Sequence, residues 1–325
     1  MACISLVFCT LLVMPNTAAP LPSGASADAV NVSAMPAYVD EQSDGSWMDE
    51  WQHNLTQSMN YTAQQLDSYF AMKGSSRFED ARAQGRLSLG WEPRTRDISE
   101  VDLRFNIRVK LPALKDRVDL LLSDDEDYDE SASIKAARQP IERRRDNTTI
   151  ALRYRSSEDA KVSYRIGTGR RGQIYVKSRF ADMAAYSSQL ALFYDAEAYY
   201  YTRDRAGAEV GATVQYITQR DHVFRFNHRF YYRDRSEDWI WRHEGQYLQP
   251  LNQHAAMIYT LFTEGGSQPD YRLNEVYISS KWRSNPTREW LFFEVEPFLI
   301  FLRDEDFKPS YGVAMRVEVY YGSNS

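Results

Sequence analysis

The stretch E-V-D-L-R-F-N-I-R-V-K-L, from Glu100 to Leu111, sorts its side chains by parity. Val101, Leu103, Phe105, Ile107, Val109 and Leu111 hold one set of alternate positions, and Asp102, Arg104, Asn106, Arg108 and Lys110 hold the other. Successive side chains of a strand point to opposite faces, so as a strand this segment has one wholly apolar face and one polar, mostly cationic face. Wound as a helix it would scatter its charges around the axis, which makes strand the better fit.

The alternation recurs along most of the chain. Arg86 to Glu92, Arg117 to Ser123, Thr149 to Arg155, Lys161 to Gly167 and Gln173 to Phe180 repeat it in the first half. Gln189 to Tyr201, Glu209 to Thr218, Val223 to Tyr232, Asn274 to Trp282, Glu289 to Phe301 and Ser310 to Tyr321 repeat it in the second, with less regular segments at Trp239 to Leu248 and Ala255 to Thr263. This amounts to about fourteen strands. The connections are mostly short and polar, and no helical period separates the strands, so an antiparallel meander is the simplest topology.

Composition narrows the class. The net charge is −6 over 325 residues and the basic residues form no block, so nucleic-acid binding has no electrostatic footprint. Mean hydropathy is −0.57, and no run approaches the roughly 18 apolar residues of a spanning helix. A membrane β-barrel is compatible with such a chain, because half of each barrel strand is polar.

The N-terminus differs from the body. Ile4 to Met14 is an apolar core of signal-peptide length, followed by Pro15 and by Ala25-Ser26-Ala27 and Ala27-Asp28-Ala29 as candidate cleavage sites, though no Lys or Arg precedes it. Both cysteines, Cys3 and Cys9, lie inside it, so an exported mature chain has no disulfide and depends on its own fold. The expected partition is a signal peptide over 1–29, a periplasmic linker with an amphipathic helix over 30–84, and a barrel over 85–325. The helix spans Ser46 to Lys73, with Met48, Trp51, Leu55, Met59, Leu66 and Phe70 along one stripe and Gly74 as its stop.

Two features separate a membrane barrel from a soluble sandwich. The polar parity is heavily charged at strand centres, and aromatics sit near strand ends (Trp91, Tyr154, Phe180, Tyr232, Trp239, Trp282, Tyr311, Tyr321), where interfacial girdles belong. From Arg86 to Tyr321 the chain resembles Gram-negative outer-membrane β-barrel proteins. The final strand, Y-G-V-A-M-R-V-E-V-Y-Y, is similar to the closing strand that barrel assembly machinery reads, with Tyr321 as the terminal aromatic and Gly322 to Ser325 beyond it. The helix-then-barrel layout and the K-L-P-A-L-K-D-R turn resemble an uncharacterised proteobacterial barrel family. The resemblance implies an all-β, up-and-down transmembrane barrel of about 12–14 strands in the outer membrane, with both termini in the periplasm. The stretch from Leu111 to Asp116 is then a periplasmic turn and that from Asp124 to Asn147 the one long outer loop. The implied partners are outer-membrane lipid, the assembly machinery and, through the 46–73 helix, a periplasmic protein.

The polar parity carries the functional expectation. Arg104, Arg108, Lys110, Arg153, Arg155, Arg165, Lys177 and Arg179 form a basic lumen wall, and Asp195, Glu197, Glu209, Glu275, Glu294 and Glu296 an acidic one. Opposed charged walls suit a passive porin-like channel. The alternatives are a lumen sealed by ion pairs across it and a non-conducting barrel that anchors an envelope partner through its helix. No serine lies within two positions of His222, His228, His243 or His254, which disfavours a hydrolase. Neither the His243-Glu244 pair nor the acidic run from Asp124 to Glu130 has metal-site spacing, so no metal, cofactor or catalytic residue is expected.

Overall fold

The computed structural model describes residues 48–49, 51–53, 56–57, 60, 83–95, 97–111, 117–123, 149–157, 159–169 and 172–322. Strand β1 spans Ala83–Arg94, β2 Asp97–Lys110, β3 Val118–Ser123, β4 Thr149–Arg155 and β5 Val162–Gly169. β6 (Gln173–Ala185), β7 (Leu190–Tyr201), β8 (Arg205–Ile217), β9 (Val223–Arg233) and β10 (Asp238–Asn252) follow. β11 (Ala255–Gly266), β12 (Arg272–Ser284), β13 (Leu291–Leu302) and β14 (Ser310–Tyr321) complete the sheet. Each strand pairs antiparallel with the next, and β14 returns to pair with β1, closing a barrel of fourteen strands. With an even number of strands, the start of β1 and the end of β14 lie at the same end, with Gly85 opposite Tyr321.

Every strand read from the alternation is present. The two irregular ones are long strands, β10 and β11, whose ladders carry register shifts at Pro250 and at Glu264. Their alternation was blurred because Gly245 and Gly265 interrupt the outward face, while Ile240, Leu248, Ile258 and Phe262 carry apolar side chains inward. The wall exposes its apolar parity: Ile166 is 53% exposed and Val210 50%, next to the inward-facing Arg165 and Glu209 respectively. A closed sheet leaves no unpaired strand edge, which is the condition for a strand to cross hydrocarbon. Among the described residues no helix is long and apolar enough to cross a membrane.

The aromatics expected at strand ends include Trp91, Tyr154, Phe180, Trp239, Trp282 and Tyr311, all exposed outward. Tyr321 differs. It is buried with Ala83, Val109 and Leu111, and its ring covers Gly85 on β1. A Cβ on Gly85 would stand 2.4 Å from the Tyr321 hydroxyl, so only glycine leaves room for the ring.

The leader over 1–29, the 112–116 turn and the loop from Asp124 to Asn147, with its acidic run, lie outside the described residues. So does most of the 46–73 helix, although the residues described within it are helical. Asp49 pairs with Arg288 in the β12–β13 turn, and Asn60 Oδ1 accepts the Ala83 N–H at 3.0 Å. Both contacts lie at the end of the barrel that holds the start of β1.

The outward parity yields a direct test. Val210→Arg, at mid-strand, should lower unfolding stability in lipid vesicles by about 2–4 kcal/mol, as expected for a cation at the bilayer midplane. Denaturant titration of the reconstituted protein measures it.

Candidate functional site

The inward parity is built from charges that the strands place side by side. β3 contributes Asp119, an inward carboxylate in a short, mostly apolar strand. Its Oδ2 accepts from Arg153 Nη2 at 2.8 Å and Nε at 3.0 Å, and from Arg108 Nη2 at 3.3 Å, while Arg155 Nη2 lies 3.5 Å away. Three guanidinium groups from β2 and β4 therefore converge on one carboxylate. Asp119 was missed in the sequence reading; its position on the polar parity of V-D-L-L-L-S was the available signal. Arg104 and Lys110 also lie on the inward parity of β2, the latter directly across from Asp119.

Further round the wall, Lys177 on β6 lies 3.3 Å from Glu197 on β7 and within 5.3–5.6 Å of the ring centres of Tyr175, Tyr199 and Tyr201. Arg179 lies 3.3 Å from Asp195. Arg229 on β9 reaches Asp195 on β7 at 3.0 Å and also pairs with Glu209 on β8. The longer reach passes over Gly211, which is the register partner of both Asp195 and Arg229. A Cβ there would stand 2.8 Å from Asp195 Oδ1 and 3.1 Å from Arg229 Cζ.

The remaining acidic residues are interleaved with cations. Glu294 is 3% exposed and meets Arg283 at 2.8 Å and both Lys281 and Arg316 at 3.5 Å. Glu296 accepts from Arg316 at 2.7 Å, Ser279 Oγ at 2.7 Å and Tyr277 Oη at 3.0 Å. Glu318 joins Arg86 on β1 to Arg283 on β12, each at 3.2 Å. Glu275 on β12 faces Glu264 on β11, which pairs with Arg242. The basic residues Arg86, Arg229, Arg242, Lys281, Arg283 and Arg316 were absent from the sequence-derived walls, because alternation assigns a side chain to a face but not to a neighbour. The structure thus brings the eight basic residues of β2 to β6 into one sector. The six acidic residues fall in two groups, on β7–β8 and β12–β13, each mixed with arginine or lysine.

Two imidazoles lie on the outer face. His228 and His243 are register partners on β9 and β10, with their Nδ1 atoms 2.5 Å apart, and Phe226 packs edge-on against His228 with ring centres 4.2 Å apart. Each satisfies a ring nitrogen of the other in an aromatic setting. Among the described residues no group of three or more acidic, histidine or cysteine side chains could hold a metal ion.

No family model matches the chain, and no curated protein does. Solved structures do. The chain is a closed fourteen-stranded barrel whose structural neighbours are Gram-negative outer-membrane porins. OccK11 (OpdR) of Pseudomonas aeruginosa is 10% identical, with 75% of this chain and 96% of that one covered and a TM-score of 0.42. The outer membrane channel DcaP of Acinetobacter baumannii is 7% identical, with 74% and 97% covered and a TM-score of 0.47. OprB of Pseudomonas putida is 11% identical, with 77% and 98% covered and a TM-score of 0.45. The likeness is one of architecture.

The Glu294 cluster should be the most sensitive point of the wall. Glu294→Gln removes the carboxylate that three cations share, and breaking a buried pair from one side costs roughly 3–5 kcal/mol. Urea unfolding of the micelle-folded barrel, against wild type, reads this loss. Glu197→Gln, in a more exposed pair, should cost less.

Proposed function

We propose that the protein is a passive, porin-like channel of the Gram-negative outer membrane, whose charged inner wall is the surface that solute meets. The direction of the ion pairs carries this reading. Among the described residues, the pairs of the inner wall join strands one or two apart: Arg153 to Asp119, Arg229 to Asp195 and Arg283 to Glu318 are representative. Such pairs lie along the wall. A lumen sealed by its own charges would draw its pairs from opposite walls, because charges withdrawn from water need partners.

Planar-bilayer recording tests the proposal. Folded protein, verified by heat-modifiable gel mobility, should give unitary current steps. A folded preparation that gives none ends the channel reading.

One observation favours a second reading, a non-conducting barrel that anchors an envelope partner. Asp49 is held by Arg288 at the barrel rim while Trp51, two residues on, is 45% exposed. A large aromatic side chain displayed beside a fixed point suits a protein contact. Deleting residues 46–73 separates the readings: a channel keeps conducting, whereas an anchor loses its co-purifying envelope protein.

A further inference from the structure

The strand register places one row of inward positions across the basic sector at a single height. It reads Lys110, Asp119, Arg153, Arg165 and Lys177, each the direct cross-strand partner of the next. Four cations therefore share the row with one carboxylate, and two consecutive contacts, Arg153–Arg165 and Arg165–Lys177, set like charges directly opposite each other. Such pairs destabilise a sheet.

Elsewhere on the wall, facing like charges are relieved by a third group. Arg229 faces Arg242, but Asp195 and Glu209 neutralise the first and Glu264 the second. Glu197 faces Glu209, and Lys177 and Arg229 answer them. In the row itself, Arg153 is committed to Asp119, and Lys177 to Glu197 and its tyrosine rings. Arg165 is half-buried at the centre of β5 and has no hydrogen-bond or ion-pair partner among the described residues.

We infer that Arg165, flanked by Arg153 and Lys177, is an oxyanion-binding site on the lumen wall, for a solute bearing a carboxylate, phosphate or sulfate group. The inference rests on the reading of the lumen as a solute path and names the class of solute that path selects. A guanidinium presents a planar fork of donors that matches an oxyanion with two parallel hydrogen bonds. The flanking cations raise the local potential, and the low-dielectric wall concentrates it toward the lumen. An incoming oxyanion supplies the negative charge that the register withholds. Cationic side chains lining a pore select anions on the same grounds.

Citrate is the probe. It is titrated by calorimetry into the full-length, micelle-folded protein at low ionic strength, and separately added to the bilayer chamber. Wild type should bind citrate saturably, more weakly as salt rises. Arg165→Gln should weaken binding about tenfold or more, the effect of losing one charge-assisted contact. Arg165→Lys should keep part of it, and Arg205→Gln, at the exposed start of β8 where Arg205 faces Asp234, should leave it unchanged. Because Arg165→Gln also removes like-charge repulsion, it should unfold at higher urea than wild type.

The inference is overturned if folded wild type does not bind citrate. It is equally overturned if Arg165→Gln binds as tightly as wild type, if Arg205→Gln weakens binding as much, or if Arg165→Gln is the less stable protein. A barrel that binds citrate through Arg165 but passes no current loses the channel reading and keeps the site. A barrel that conducts, with citrate binding and block unchanged in Arg165→Gln, keeps the channel and loses the site.

Discussion

The hydrogen-bonded seam between β1 and β14 is the constraint on which the rest of the structure depends. Hydrocarbon offers no partner to a backbone N–H or carbonyl, so a sheet that crosses it must have no edge. The seam runs from Gly85 opposite Tyr321 to Arg94 opposite Gly312. Once the sheet is closed, the two parities of every strand have unlike surroundings, and the outward one meets lipid. The ring of Tyr321 over Gly85 packs one end of this seam, which is why an aromatic expected to sit in the interface is buried instead.

Closure also forces charges into the barrel, and the wall answers by pairing them between near neighbours. The pairs are graded round the circumference. On β12 to β14 carboxylates and guanidinium groups alternate, as in the contacts of Glu294 and Glu296 with Arg283 and Arg316. On β2 to β4 three arginines, Arg108, Arg153 and Arg155, converge on Asp119. The first arrangement stabilises the wall. The second gathers guanidinium groups beside Arg165, which lies directly across from Arg153. The small residue at Gly211 shows the same economy of space, since it lets Arg229 bridge two strands that are not themselves paired.

Aromatic residues divide between the two faces. Tyr175 and Tyr201 form one inward cluster, and Phe262, Tyr277 and Phe298 another. The inner wall is therefore not uniformly polar, and the expectation that apolar side chains form only the lipid coat does not hold there. These rings carry the apolar parity of no strand; they occupy polar-parity positions, where a sequence pattern reads them as exceptions.

Strand number, strand order and the face on which each side chain lies were legible in the sequence, because a period of two is a local property of the backbone and survives any tertiary arrangement. The basic character of β2 to β6 was legible for the same reason. Which charge meets which was not. Pairing depends on register between strands, and register is set by how the whole sheet closes, so Asp119, Gly211 and the facing pair His228–His243 acquire their meaning only in three dimensions. The Glu100 to Leu111 pattern determined that Arg104, Arg108 and Lys110 face inward. The closed barrel decided that Arg108 shares Asp119 with Arg153 and Arg155, and that Arg165, three strands away from β2, stands between two other cations.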